Sequence, residues 1–147
     1  MIVISNASPL IALSRISRED ILQHLFGHLL IPEAVHQEVV LQCPHPDEKA
    51  RLQEAIAEFI EIVHPTFSHV FSRNLGHGER EVLNVALEMR PDILLIDDKR
   101  ARYEAQELGF FPTFTADVLK EAERQGLISS YQEILQELYN QEIYLPE

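Results

Sequence analysis

The chain has 147 residues, 46% of them apolar, and carries a formal net charge of -12 at pH 7. This length suits one compact domain with its own core, and the apolar fraction excludes a disordered tail or a fibrous repeat. The negative net charge argues against a protein that binds nucleic acid by broad neutralisation of its phosphates, although it does not exclude a local basic patch.

The sequence contains no signal for a membrane or a disulfide. No apolar run approaches the roughly 20 residues that a membrane helix needs, and the start MIVISNASPL lacks the basic residues of a signal peptide. Cys43 is the only cysteine, which excludes an internal disulfide and a cysteine-based zinc site. We therefore expect a cytoplasmic protein without a membrane partner, formed by a single domain over residues 1–147.

In the first half of the chain, short apolar runs alternate with longer amphipathic segments. Ser8 before Pro9 predicts the N-cap of the first helix. The predicted elements are a strand Ile2–Ser5, a helix to Ile16, a helix to about Phe26, a strand His28–Pro32, a helix Pro32–Leu41, a helix Asp47–Phe59 and a strand Ile60–Val63.

The second half continues the same alternation. Asp92–Ile96 is apolar after its first residue, as in a strand buried on both faces. The predicted elements are a loop over residues 66–76, a helix from Gly78 to Met89, the strand Asp92–Ile96, a helix Lys99–Leu108, a strand Phe111–Phe114, a helix from Ala116 ended by Gly126, a last helix Ser130–Gln141 and a tail along a sheet edge. The alternation predicts an α/β fold with a parallel sheet covered by helices.

Polar and acidic residues recur where the predicted strands end, which is where parallel α/β sheets place their functional groups. These residues are Asn6 and Ser8 after the first strand, Glu38 after the second, Glu79 at a helix start, Asp97 and Asp98 after the strand ending at Ile96, and Thr115. Several carboxylates in one pocket need a cation to screen their charge. Carboxylates without thiols or paired histidines suit a hard ion such as Mg²⁺ or Mn²⁺.

Each of these residues also has a purely structural explanation. Asp97, Asp98 and Glu79 stand at helix starts, where the helix dipole favours acids. Glu38 would be a solvated helix position, and Asn6 would cap a helix. Lys99, Arg100 and Arg102 would form a solvated basic face. The residue pattern alone leaves both interpretations open.

Four segments, in order, resemble the PIN-domain nucleases, in particular the VapC-like toxin branch of type II toxin–antitoxin pairs. The segments are VISNASPLIAL (Val3–Leu13), IPEAVHQEV (Ile31–Val39), GHGEREVLNVALE (Gly76–Glu88) and LLIDDKRAR (Leu94–Arg102). The resemblance covers nearly the whole chain. It implies a three-layer α/β/α sandwich with a central, mostly parallel sheet, and metal-dependent hydrolysis of RNA phosphodiester bonds with Mg²⁺ or Mn²⁺.

The resemblance also implies roles for individual residues and partners for the chain. The family's acidic positions fall on Asn6, Glu38, Glu79 and Asp98, with Asp97 beside the last. The expected catalytic residues are Glu38, Glu79, Asp97 and Asp98; the expected metal ligands are Asp98, Asp97, Glu79 and Asn6; the expected supporting residues are Ser8 and Thr115; the expected RNA contacts are Lys99, Arg100 and Arg102. The expected partners are RNA, a small antitoxin protein and a second copy in a homodimer.

Asn6 departs from the family pattern, which begins its metal site with aspartate. An amide oxygen still coordinates hard cations, but it contributes no charge. The sequence therefore supports two functions. One is a ribonuclease toxin, and the other is a catalytically weak or inactive PIN-like module that binds RNA or a protein partner.

Overall fold

A central parallel sheet organises the molecule. The computed structural model describes residues 1–146, and its strands are β1 (Val3–Ser5), β2 (Leu29–Pro32), β3 (Ile60–Val63) and β4 (Ile93–Leu95). They pair in the order β3-β2-β1-β4, and every pairing is parallel. Val3 lies opposite Ile93 and Ser5 opposite Leu95, so β1 and β4 end at the same level.

Helices flank this sheet. They are α1 (Ala7–Arg15), α2 (Asp20–Phe26), α3 (Glu33–His36), α4 (Pro46–Glu58), α5 (His77–Met89), α6 (Lys99–Glu107), α7 (Thr115–Arg124) and α8 (Tyr131–Asn140). No helix within residues 1–146 has both the length and the hydropathy to cross a bilayer. The predicted α/β fold, a mostly parallel sheet between helices, is confirmed.

The core lies against the sheet. All residues of β1 and β2 are buried, as expected for central strands covered on both faces. Ile4, Leu30 and Leu94 belong to one apolar cluster that extends into the flanking helices. The prediction of a single domain over residues 1–147 stays a prediction, and Glu147 lies outside the described residues.

The strand order places a crevice between β1 and β4. The chain passes from β1 to β2 on one side and later returns to β4 on the other side. Parallel sheets bind ligands outside the carboxyl ends of the strands, where the strand order reverses in this way. Asn6 follows β1 there, and its N–H donates to the Leu95 carbonyl oxygen at 2.9 Å.

The predicted strand Phe111–Phe114 was wrong. Only Thr113 pairs with β4, in a single parallel bridge to Leu95. Pro112 has no N–H to extend the ladder, and α7 begins at Thr115, two residues after the bridge.

Ser8 as the N-cap of the first helix was also wrong. Helix α1 begins at Ala7, and Asn6 occupies the cap position without a side-chain cap hydrogen bond. Since the Asn6 N–H still bonds to β4, the chain turns into the helix directly after the sheet. Ser8 therefore lies inside the first turn of α1.

The predicted helix Pro32–Leu41 is not a uniform α-helix. After α3, residues Gln37–Leu41 form a π-helix. The N–H of Gln42 donates to the Gln37 carbonyl oxygen, five residues earlier, at 2.9 Å. Short π-helical turns are rare and occur often at functional sites, and this one carries Glu38.

The tail does not lie along a sheet edge. Residues 141–146 form no strand; the N–H of Ile143 bonds to the Leu138 carbonyl oxygen at 2.9 Å. The Tyr144 ring packs edge-on against Tyr139, with 5.0 Å between centroids. Ile143 and Leu145 pack against the core.

Polar side chains anchor the long loop of residues 64–76. Glu88 accepts hydrogen bonds from the Thr66 and Phe67 N–H groups, and Asn84 accepts one from the His69 N–H. At the other end, Glu104 of α6 accepts hydrogen bonds from the backbone and side chains of Ser72 and Arg73. These bonds fix the loop against α5 and α6.

We expect Glu104→Gln to lower the free energy of unfolding by about 1–3 kcal/mol. Glutamine has no negative charge and only one acceptor oxygen, so some of the Ser72 and Arg73 donors would lose their hydrogen bonds. Burial raises the pKa of Glu104, but the hydrogen bonds from Ser72 and Arg73 outweigh it and lower that pKa below 4.5. The contribution is therefore complete above the unfolded pKa and is lost as pH falls through the lower folded pKa. Urea unfolding of both proteins between pH 7 and pH 3 measures this.

Glu107→Gln is the matched control. Glu107 also pairs with Arg73, at 2.8 Å, but it is exposed, and exposed pairs stabilise little. An equal effect of both substitutions would contradict a specific anchoring role for Glu104.

Candidate functional site

One cavity of about 350 Å³ opens at the carboxyl ends of β1 and β4. The polar residues that line it are Asn6, Ser8, Glu38, Glu79, Asp97 and Asp98. They come from segments that are distant in sequence. The rest of the lining is mostly apolar and includes Ile11 of α1 and residues 143–146 of the tail.

Asn6 presents its amide to this cavity. The residue is 5% exposed, and its side chain makes no cap hydrogen bond to α1. Its Oδ1 faces the backbone of Gly78, because a Cβ added to Gly78 would lie 3.7 Å from that oxygen. The amide oxygen is therefore directed across the crevice towards α5.

Glu38 faces the same point from the π-helix. A Cβ on Gly78 would lie 3.6 Å from Glu38 Oε1, so the Glu38 and Asn6 oxygens both lie beside the backbone of Gly78. Burial, and then the charge of Glu79, raise the pKa of Glu38 above its ordinary value of 4.5. The charge of Glu79 thus adds to the effect of burial, and both disfavour the ionised form of Glu38.

The Glu79 carboxylate lies over Gly76, the residue that precedes α5. A Cβ at Gly76 would come within 2.6 Å of Glu79 Oε2, closer than real Cβ contacts allow. The backbone of Gly76 has φ -65° and ψ 164°, which any residue adopts. A side chain at this position would therefore displace the Glu79 carboxylate.

Asp97 is buried and already bonded. Its Oδ1 accepts from the Thr115 N–H at 2.8 Å, and its Oδ2 accepts from the Thr115 hydroxyl at 2.7 Å. Burial raises the pKa of Asp97 above 3.8, against the opposing effects of these bonds and of the nearby Arg102 charge. Asp97 thus ties the end of β4 to the start of α7, and Thr115 fixes its orientation.

Asp98 is exposed and caps α6. Its Oδ2 accepts from the Ala101 N–H at 3.0 Å, so the structural explanation for an acid at this helix start applies to Asp98. The side chain also lines the cavity, together with Glu79. A capping carboxylate still offers its second oxygen to a ligand.

The three basic residues of α6 have different surroundings. The Arg102 guanidinium stacks on the Phe114 ring at 3.3 Å from the centroid, and its buried Nε has no hydrogen-bond partner within residues 1–146. Lys99 and Arg100 instead line a second groove that shares Glu79 and Asp98 with the cavity. The structure therefore places two of the three beside the cavity and packs the third against Phe114.

Sequence reasoning missed the two glycines and the tail. In the GHGE segment, Gly76 immediately precedes α5 and Gly78 is its second residue. A glycine pair there is consistent with close backbone approach, but no local pattern indicates which side chains approach it. The tail contributes through a contact between the end of the chain and the ends of β1 and β4, which local patterns do not encode.

The side chains that line the cavity differ from a preformed metal site but have the ligand atoms that a divalent cation uses. Within residues 1–146, no three His, Cys, Asp or Glu side chains are arranged to hold one ion jointly. The groups that line the cavity are oxygen donors, including three carboxylates besides the bonded Asp97. Mg²⁺ takes one or two carboxylates directly and keeps several waters, so the donor chemistry fits such an ion.

The chain was compared with known proteins. A family model described as PIN domain (DUF3368) matches residues 2–147. No curated protein matches the chain significantly.

We expect Glu79→Gln to lower the pKa of Glu38 part of the way towards 4.5. The substitution removes the neighbouring charge but leaves the burial that is the larger cause of the raised pKa. A carbon-detected NMR titration of the Glu38 carboxyl measures this. Glu58→Gln, at an exposed residue of α4 outside the cavity, is the control and leaves the titration unchanged; an unchanged Glu38 in Glu79→Gln would refute the interaction.

Proposed function

The chain belongs to the PIN-domain family, and from that premise we propose that it is a metal-dependent endoribonuclease acting on RNA phosphodiester bonds. A PIN domain indicates nuclease-type function, and PIN domains are generally dependent on divalent metals. The observation that supports the proposal most is the shared cavity at the ends of β1 and β4, where oxygen donors meet from four distant segments.

Mg²⁺ or Mn²⁺ is the proposed cofactor. Glu79 and Asp98 would hold the ion, with the Asn6 amide and Asp97 completing the oxygen environment. When bound, such an ion lowers the pKa of a coordinated water and offsets negative charge on the phosphate. The neutral Asn6 reduces the charge available to the ion, so we propose that binding is weaker than with four acids.

The remaining residues position the reactants. Glu38 faces the cavity and would orient the attacking water by accepting its hydrogen bond. Thr115 holds both oxygens of Asp97, which fixes the turn that directs Asp98 into the cavity. Ser8 lines the same cavity and would donate its hydroxyl to a phosphate oxygen. Lys99 and Arg100 would contact flanking phosphates.

We further propose that the chain is the toxin of a toxin–antitoxin pair, neutralised by a small antitoxin, and that it forms a homodimer. The support is the resemblance of four ordered segments to the VapC-like branch. A short reading frame found directly upstream of the gene would support the pair, and light scattering of the purified protein measures the oligomeric state.

The second candidate is an inactive PIN-like module that binds RNA or a protein. Three observations favour it. Asn6 supplies no charge, both Asp97 oxygens are engaged by Thr115, and no three acids are gathered for one ion within residues 1–146.

Asp98→Asn separates the two roles of Asp98. Asparagine caps helices about as well as aspartate, so we expect the stability to change by only a few tenths of a kcal/mol. Loss of the charged ligand is expected to reduce RNA cleavage with Mn²⁺ by about 10- to 100-fold. The cleavage rate of a labelled RNA and thermal unfolding measure both effects.

Asp47→Asn is the matched control. Asp47 is an exposed acid in the first turn of α4, and it does not line the cavity. Its substitution is expected to leave cleavage unchanged. Equal rates in the wild type and Asp98→Asn, or no cleavage by either across many RNAs, would count against a nuclease.

Gly76→Ala tests the position of the Glu79 carboxylate. The new methyl group would overlap Glu79 Oε2, and the flexible side chain can swing away at a cost of about 1 kcal/mol or less. We expect Mn²⁺ affinity to fall by about tenfold. Calorimetric titration with Mn²⁺ measures it.

A double-mutant cycle provides the control for this effect. In Glu79→Ala, no carboxylate overlaps the methyl group, so Gly76→Ala is expected to cause no further loss of affinity. If the wild type itself binds no Mn²⁺ at millimolar concentration, the inactive module becomes the better description.

A further inference from the structure

A second groove of about 500 Å³ adjoins the acidic cavity. Its walls are residues 74–76 on one side and Lys99, Arg100 and Tyr103 of α6 on the other. Glu79 and Asp98 line both spaces. A ligand in this groove would therefore reach the acidic residues directly, and the volume lies within the usual range for small-ligand sites.

No ion pair neutralises the cations of this groove in the part of the chain that the structure describes. The sequence has 24 acidic residues and 12 lysines and arginines, and carboxylates pair with four arginines distant from the groove, Arg15, Arg18, Arg51 and Arg124. Neither Lys99 nor Arg100 has a carboxylate within 4.0 Å among the residues that the structure describes. Both are exposed. Arg100 Nη1 donates a hydrogen bond of 3.4 Å to the Asn74 carbonyl oxygen, but this neutral acceptor leaves the charge of Arg100 available to a phosphate.

Tyr103 has a partly exposed aromatic ring beside these charges. The residue is 44% exposed. Lys99 Nζ lies 5.8 Å and Arg73 Cζ 5.7 Å from its ring centroid, at the outer limit of cation–π contact. The guanidinium on Phe114 is much closer, at 3.3 Å. Both cations thus lie over the Tyr103 ring at distances that leave the side chain partly exposed.

The groove wall is held in place before any ligand binds. Glu104 bonds to Ser72 and Arg73, which fixes the loop that leads to residues 74–76. Arg73 is also paired with Glu107, so it supports Tyr103 and remains engaged. A fixed wall lowers the ordering cost of binding.

We propose that this groove binds one nucleotide of the RNA next to the cleaved bond, with its base stacked on Tyr103 and its phosphate held by Lys99 and Arg100. The position next to the cleaved bond rests on the proposed nuclease function. An acidic peptide would also satisfy the two cations. The exposed ring favours a nucleotide, since bases stack on aromatic side chains in single-stranded nucleic-acid sites.

The experiment measures fluorescence anisotropy of a labelled ten-nucleotide RNA with EDTA present, so that metal-dependent cleavage does not contribute. We expect Tyr103→Ala to weaken binding by roughly 5- to 150-fold, and Tyr103→Phe to retain it, because stacking needs only the ring. Lys99→Gln and Arg100→Gln should each lower the salt dependence of log affinity by about 0.7.

Lys120→Gln is the matched control. Lys120 is exposed on α7 and lies 5.3 Å from the Tyr131 ring centroid, a contact like that of Lys99 with Tyr103. Its substitution should leave RNA affinity unchanged. Equal affinity of Tyr103→Ala and the wild type, or no RNA binding by the wild type, would overturn the nucleotide site. A third outcome would also overturn the nucleotide site. If polyglutamate displaces the labelled RNA as well as unlabelled RNA does, and if this does not depend on Tyr103, the ligand is an acidic peptide.

Cleavage of the same RNA with Mn²⁺ separates this inference from the proposed function. Binding that depends on Tyr103 without cleavage would overturn the nuclease and retain a nucleotide-binding groove. Cleavage together with binding that is independent of Tyr103 would overturn the groove alone.

Discussion

The parallel pairing of β1 with β4 is the constraint on which the site depends. Their register ends both strands at the same level, and the strand order reverses between them. Asn6 and the Asp97–Asp98 pair therefore reach one crevice although about 90 residues separate them. Helix α5 and the π-helix then bring Glu79 and Glu38 to the same cavity. The apolar sheet thus decides where the polar chemistry lies, since no acidic residue in the cavity belongs to a strand.

Bringing carboxylates together is unfavourable, and the fold limits this cost in several ways. Thr115 engages both oxygens of Asp97, and the Ala101 N–H engages one oxygen of Asp98. Asn6 contributes an oxygen without a charge. Burial, and then the uncompensated charge of Glu79, still raise the pKa of Glu38. For Asp98, helix capping and ligand binding are compatible roles, because the Ala101 N–H engages only one of its two oxygens.

Much of the fold could be predicted from sequence because its signals are local. The apolar run ending at Ile96 predicted a strand, and the amphipathic pattern after Gly78 predicted α5. The convergence of Asn6, Glu79 and Asp98 followed from the general rule for parallel sheets. The errors arose where tertiary contacts override local preference. The π-helix at Glu38, the single bridge at Thr113 and the position of the tail depend on packing partners that local periodicity does not contain.

The distribution of charge explains how an acidic chain can present a surface to a polyanion. Carboxylates away from the cavity pair with Arg15, Arg18, Arg51 and Arg124, whereas the groove cations Lys99 and Arg100 have no acidic partner among residues 1–146. Screening in salt limits the reach of the net charge to about 10 Å, so a bound strand responds mainly to the charges within that distance. Beside the groove these are two cations without acidic partners among the described residues, and the two acids that line both the groove and the cavity. Under the proposed function, the acids would repel a phosphate unless a divalent cation lay between them, so RNA binding in the cavity would depend on a metal. In the groove, Lys99 and Arg100 would offset that repulsion, so binding there would depend less on the metal.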